Sequence, residues 1–163
     1  MKNTKAVASK IYNLNDLLHK LAQIRLIGKT VSFTNGCFDI LHRGHIASLS
    51  EAASEADFLV VGVNADSSTR KLKGPGRPVT DQQSRSLILA SLLIVDAVII
   101  FDEETPLELI KAIKPDVLVK GGDYTLDQIV GSKEVIANGG KVIINQIVQG
   151  FSSSSIIEKI RKL

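Results

Sequence analysis

Two of the chain's three histidines, His42 and His45, lie three residues apart in the stretch FDILHRGHIAS at positions 38–48. The stretch follows an apolar run directly, and a helical pattern begins at about Gly44. A three-residue spacing puts both imidazoles on one face of the first helical turn. That end of a helix carries unsatisfied N–H groups and partial positive charge, so it favours phosphate. Gly44 removes the side chain that would hold a bulky anion away from the backbone. The chemistry these residues suit is cradling a polyphosphate whose charge grows during reaction. A zinc site would need further ligands, and the sequence offers one cysteine and no third histidine nearby.

Other residues of the same chemical character are scattered along the chain. RKLKGPGR at 70–77 crowds basic residues around a Gly-Pro-Gly turn, and Lys73 and Arg77 flank that turn. The segment reads as a local anion site rather than a general nucleic-acid surface. Lys120 ends an apolar run, and the following Gly121-Gly122-Asp123 lets backbone approach a ligand. Asp123 suits ribose, a sugar hydroxyl or a metal equally. Arg85 lies among apolar residues, where the alternative to ligand binding is a buried structural salt bridge. Asp39 either orients a neighbouring side chain or caps locally. Ser152, Ser153 and Ser154 precede a closing helical segment, whose capped N-terminus is itself a phosphate site if it faces the pocket.

Elements that could bring these residues together are legible as strand-length apolar runs at 30–36, 57–64, 96–101, 115–122 and 140–148. The middle runs show no alternation, as expected for strands covered on both faces. Ile46, Leu49 and Ala53 recur at helical spacing, as do Leu87, Ala90 and Leu93–Ile94, and Leu107, Ile110 and Ile113. Before the last group, Thr105 is expected to cap and Pro106 to take the first helical position. NLNDLLHKLAQIR near the N-terminus adds an amphipathic helix on the sheet's edge or face. Alternating strand and helix predicts α/β architecture: a Rossmann-like, doubly wound sheet of about five parallel strands with right-handed crossovers. The stretch 65–79 is expected to be an irregular loop, too long for an ordinary connection and therefore functional. In such sheets ligands bind beyond the carboxyl ends of the strands, where most of the residues above fall.

Composition narrows the function classes. At 163 residues the chain suits one well-buried core and is short for two domains. Aromatic residues are only 4% and Trp is absent, which leaves little for stacking nucleic-acid bases, so no nucleic-acid partner is expected. Cys37 is the only cysteine, so no intrachain disulfide can form and a reducing compartment is the simplest expectation. The N-terminus lacks an apolar signal core and no run approaches 18 apolar residues, so a cytoplasmic protein without a membrane partner is expected.

GCFDILHRGH resembles the signature of the cytidylyltransferase-like nucleotidyltransferase superfamily, which shares its H-x-G-H element with class I aminoacyl-tRNA synthetases. VNADSSTRKLKGPGRPV, QQSRSLILASLLIVD, PDVLVKGGDY, VGSKEVIANGGKV and FSSSSIIEKI resemble, in order, the adenylyltransferase-domain family of bacterial ADP-heptose synthases over residues 28 to 162. The resemblance implies an HxGH-type fold and one nucleotidyltransferase domain over 1–163, with a helical extension at 1–27 and a catalytic core at 28–163. It implies transfer of AMP from ATP to D-glycero-β-D-manno-heptose 1-phosphate, giving ADP-heptose and pyrophosphate for lipopolysaccharide core assembly. Many relatives are fused to a sugar kinase. None is expected here, so a separate heptose kinase would supply the acceptor. Superfamily members are often dimers, so a homodimer is one oligomeric state the sequence leaves open. Where the family usually has Ser-Thr-Thr this chain has Ser152, Ser153 and Ser154, which keep the hydroxyls.

Matched residue by residue, the resemblance implies catalytic roles for His42, His45 and Lys73. Nucleotide contacts fall to Gly36, Cys37, Phe38, Gly44, His45, Arg85, Lys120, Gly121, Asp123 and Ser152, Ser153 and Ser154. Sugar-phosphate contacts fall to Asp39, Lys73 and Arg77. The nucleophile is already an anion near neutral pH, so positioning and charge stabilisation, rather than a strong base, should carry catalysis. Mg²⁺ is expected with ATP, without dedicated protein ligands. Cytidylyl transfer to glycerol 3-phosphate or another alditol phosphate keeps the fold and changes the substrate. A synthetase remnant is disfavoured by the lack of room for an anticodon-binding domain. A non-catalytic nucleotide sensor is the reading from another class, and it would not need His42, Gly44, His45, Lys73 and Arg85 together.

Overall fold

Six strands, all paired in parallel, make one sheet among the described residues of this computed structural model, which are 5–146 and 150–163. In chain order they are β1 (Ile11–Tyr12), β2 (Val31–Gly36), β3 (Phe58–Asn64), β4 (Ala97–Phe101), β5 (Val117–Gly121) and β6 (Lys141–Asn145). Their order across the sheet is β1-β4-β3-β2-β5-β6. From β2 the chain steps outward to β3 and β4, then returns to the other side of β2 for β5 and β6. The strand order therefore reverses between β2 and β5, which is where a doubly wound sheet opens a crevice.

Among the described residues eight helices connect and cover the strands: α1 (Lys5–Ala8), α2 (Leu14–Leu26), α3 (Arg43–Ser54), α4 (Asp66–Lys73), α5 (Gln82–Ala90), α6 (Leu107–Ile113), α7 (Ser132–Ala137) and α8 (Ser153–Arg161). A short 3₁₀ turn (Leu126–Gln128) lies between β5 and α7. Every residue of β3 is buried, because Val60 faces a core with Phe33 and Leu21 while Leu59, Val61 and Val63 face another with Leu49 and Leu89. Two buried faces explain why the central strands read as continuous apolar runs.

Several expectations need correction. The sheet has a sixth strand, β1, whose two residues pair with Val98 and Ile99. Two residues are too few to show a period. The N-terminal segment is thus not only helical: it supplies that edge strand, and α2 buries Leu17 and Leu21 completely. Residues 66–73, expected to be loop, form α4, with Asp66 in its first turn and Arg70, Lys71 and Lys73 in its last. Acid first and base last complement the helix dipole, and Gly74 ends the helix at φ 90°, a conformation that suits glycine. Pro106 occupies the N-cap position of α6 rather than its first turn, without a side-chain cap. The buried face of α5 is Arg85, Ser86, Leu89 and Ala90, whereas Leu87 is exposed and Leu93, 95% exposed, lies beyond the helix. Of the expected strand 140–148, residues 141–145 form β6, and 147–148 lie outside the described residues.

Candidate active site

The carboxyl end of β2 turns into α3 through Phe38, whose φ of +47° is unusual for a residue with a side chain. Its ring is buried against Gly36, where an added Cβ would lie 3.2 Å from it, and tilts toward His45 at 5.3 Å. This turn delivers His42 to the N-cap of α3 and His45 to its first turn. The two rings stack with centroids 3.8 Å apart. An added Cβ on Gly44 would come within 3.1 Å of the His42 ring, so glycine is what allows that ring to lie over the helix start.

Both histidines are held toward the neutral form. Burial lowers His42 below the ordinary imidazole value. His45 is pushed down to about 4, first by burial and then by the charge of His42. Among the described residues Nδ1 of each ring is buried without a hydrogen bond of good geometry, although the Ile40 backbone lies close enough to His45 to oppose part of the fall in its pKa. That unspent capacity suits an anionic ligand, whose charge would also favour the imidazolium form.

The N-terminus of α8 meets the histidines across a cavity of about 230 Å³ lined by Cys37, Phe38, Asp39, His42, His45, Lys73, Arg77, Phe151 and Ser152–Ser154. Ser152 caps α8 by accepting from Ser155 N, and Ser155 Oγ receives the Ser152 N–H in return. This helix start is held against α3 and the turn before it: the Arg43 guanidinium lies over the Phe151 ring at 5.6 Å, and Ser153 Oγ donates to Ile40 O at 3.4 Å. Two helix N-termini therefore border one cavity, an arrangement that concentrates N–H donors for phosphate.

Asp39 takes the orienting role. Its carboxylate accepts from Arg77 Nε at 2.5 Å, Val79 N at 2.7 Å and Thr80 N at 3.1 Å. Burial alone would raise its pKa, but the bonds from Thr80, Arg77 and Val79 outweigh it and hold the carboxyl below its ordinary value. Arg77 reaches the cavity wall already paired, so much of its charge is offset. Arg85 takes the structural alternative. Its side chain is fully buried, with Nε donating to Thr80 O at 3.0 Å, one terminal nitrogen to Cys37 O, and the other to the Asp66 carboxylate at 2.7 Å. It ties the β2–α3 turn, the 77–80 loop and the start of α4 into one unit and does not line the cleft.

Lys73, at the end of α4, borders this cavity and two others that also share Cys37. One, of about 300 Å³, lies over Gly36, Gly44 and Gly121, with Tyr124 and Phe151 in its wall. The other, of about 370 Å³, is lined by Asn35, Asn64, Leu72, Glu104, Thr105, Lys120, Tyr124 and Gln128 among others. Lys120 stands between these two, donating to Asn35 Oδ1 at 3.1 Å, and burial lowers its pKa. Asp123 is exposed and outside all three cavities. The sequence reading missed Asn35, Asn64, Tyr124 and Gln128. Asn35 and Asn64 carried a usable signal, since each is a polar residue at the carboxyl end of an apolar strand.

Among the described residues no cluster of three His, Cys, Asp or Glu side chains is placed to hold a metal ion. No described helix is long and apolar enough to cross a membrane.

Residues 33–159 match the cytidylyltransferase-like family. The chain is 52% identical over 155 residues to "Bifunctional protein HldE" of Methylobacillus flagellatus, covering 95% of this chain and 32% of that protein. It is 54% identical over 136 residues to the protein of the same name from Caulobacter vibrioides, covering 83% of this chain and 28% of that one. It thus spans about a third of the length of these relatives. Among solved structures, a lipopolysaccharide core biosynthesis protein from Thermoplasma volcanium superposes with a TM-score of 0.61 at 32% identity, covering 74% of this chain and 97% of that one. A pantoate–β-alanine ligase from Francisella tularensis superposes with a TM-score of 0.59 at 18% identity, covering 94% and 78%, a likeness of fold alone.

Proposed function

We propose, since the chain belongs to the cytidylyltransferase-like family and carries a nucleotidyltransferase domain, that it transfers AMP from MgATP to D-glycero-β-D-manno-heptose 1-phosphate. The products are ADP-heptose and pyrophosphate. The observation that carries this reading is the position of Lys73, in the walls of a histidine- and serine-lined cavity and of two further chambers. A transfer reaction needs a cation at such a junction, where donor phosphate, leaving group and acceptor phosphate crowd together.

In this reading the triphosphate lies between the starts of α3 and α8. The nucleoside occupies the chamber over Gly36, Gly44 and Gly121, where bare backbone and the rings of Tyr124 and Phe151 suit a flat base. The acceptor occupies the chamber lined by Asn35, Asn64 and Gln128. An oxygen of the sugar phosphate attacks the α-phosphorus of ATP, the bond from that phosphorus to the bridging oxygen breaks, and pyrophosphate leaves. His45 and Lys73 stabilise the charge on the α-phosphoryl oxygens, and His42 and the α8 amides hold the departing phosphates. No carboxylate base is required, because the nucleophile is already ionised. Bound as MgATP, the donor would bring a cation whose charge would screen the triphosphate for an anionic acceptor.

The identity to the bifunctional relatives and the lipopolysaccharide assignment of the Thermoplasma protein support this choice of substrate. The acceptor's anomeric phosphate must come from a sugar kinase, whichever polypeptide carries that activity. The test is incubation with MgATP and a set of sugar 1-phosphates, following pyrophosphate and the sugar nucleotide. Acceptor-dependent release of both is expected. Tight MgATP binding without turnover with any acceptor would favour the sensor.

A further inference from the structure

Asn35 and Asn64 sit on adjacent strands and on the same face of the sheet. Asn35 pairs in register with Gly62, so Asn64, two residues further along β3, points its side chain the same way. Both border the chamber of about 370 Å³ beyond Lys73 and Lys120.

Asn64 is only 3% exposed, a position where an apolar residue would pack without a desolvation cost and an amide is costly unless bonded. Its bonds within the chain are few. Nδ2 donates to Ser68 Oγ at 3.3 Å, and among the described residues Oδ1 has only Cys37 Sγ at 4.0 Å. One N–H and most of the oxygen's accepting capacity are left over. Asn35 is in a similar state: its Oδ1 accepts from Lys120, while no bond from its NH₂ group to another described residue is present. Two under-used amides just beyond a pair of lysines fit a ligand that carries a phosphate and, next to it, hydroxyl groups that both donate and accept.

Resting on the reading of the chain as a sugar-phosphate nucleotidyltransferase, we propose that Asn64, assisted by Asn35, hydrogen-bonds ring hydroxyls of the acceptor and selects polyhydroxylated sugar phosphates over short alditol phosphates. Selection of this kind is strong, because an acceptor lacking the hydroxyl leaves a buried amide unpaired.

The test compares wild type with Asn64→Ser and, as a second variant, Asn35→Ala. Each is assayed with heptose 1-phosphate, with sugar 1-phosphates lacking a single ring hydroxyl, and with glycerol 3-phosphate. The expected result is that KM for the heptose acceptor rises about tenfold to a hundredfold, KM for MgATP stays within about twofold, and discrimination against one deoxy acceptor collapses. Ser68→Ala, which removes the internal bond, should leave acceptor discrimination unchanged. Equal losses on every acceptor, or the same change in Ser68→Ala, would overturn the proposal, since Asn64 would then only support α4. Wild type that binds MgATP but turns over no sugar 1-phosphate would instead defeat the functional reading on which the proposal stands.

Discussion

The imidazoles of His42 and His45 lie stacked, centroids 3.8 Å apart and planes 21° from parallel, at the start of a helix whose glycine permits the approach. Two neutral rings can stack this closely, whereas two imidazolium rings would repel each other. Burial holds both rings toward the neutral form, so the positive character of this site rests on Lys73, Lys120 and the helix N-termini.

His45→Ala should lower kcat by about two to three orders of magnitude, the scale of one lost transition-state donor. The Kd for MgATP should change much less. Steady-state kinetics with calorimetric binding separates the two. A loss explained wholly by weaker MgATP binding would mean that His45 holds only the ground state.

Stability should depend on pH through the same residue. The folded chain binds a proton at His45 only near pH 4, whereas the ordinary value is 6.5. Between these values the unfolded chain holds more protons, so stability falls as pH falls through that window and levels off below it. The lowered His42 acts in the same direction. Asp39, whose carboxyl is depressed, contributes stability above its ordinary value of 3.8 that is lost as the pH falls further. His45→Gln should flatten Tm against pH between 6.5 and 4, and an unchanged slope would assign the dependence to other groups.

Asp39 and Arg77 should behave as one unit, since their side chains are 1% and 13% exposed. Removing either partner should cost about 3 kcal/mol, because Asp39→Ala leaves Arg77 without its carboxylate and Arg77→Ala leaves a buried carboxylate held only by the Val79 and Thr80 N–H groups. The double substitution should cost little more than one alone. Urea unfolding of the Asp39→Ala, Arg77→Ala and double variants measures this, and simple additivity would contradict it. Lys73→Ala, which has no ion-pair partner among the described residues, should leave stability unchanged and lower kcat/KM.

Arg85→Ala should lower stability by about 3 kcal/mol, because it empties a fully buried position and leaves the Cys37 and Thr80 carbonyls without their donor, and Arg85→Lys should recover only part of it. A single ammonium cannot reach Cys37 O, Thr80 O and the Asp66 carboxylate in the fork geometry of a guanidinium. Full recovery of Tm in the lysine variant would show that charge alone matters there.

The contrast between Arg85 and Lys73 shows what could be read from sequence. Strand runs, crossovers and the glycine between the histidines are local patterns, so the parallel sheet and the turn at β2 are legible in the sequence alone. Whether Arg85 points into the cleft or under it depends on which face of α5 is buried, and the exposed Leu87 and Leu93 obscured that face. α4 was hidden because the Gly-Pro-Gly turn after it dominated the segment, although Asp66 at its start and three basic residues at its end were visible. Asn64 joins Asn35 only through strand register, a long-range fact that no window of sequence contains.

The most direct measurement is a two-by-two assay of pyrophosphate release, ATP or CTP against heptose 1-phosphate or glycerol 3-phosphate, at equal concentrations with Mg²⁺. The expected result is that ATP with heptose 1-phosphate is fastest; the proposed hydroxyl recognition in the acceptor chamber accounts for the choice of acceptor, while His45 acts on phosphates that ATP and CTP share. Fastest release from CTP with glycerol 3-phosphate would contradict the heptose assignment while leaving the histidine chemistry standing.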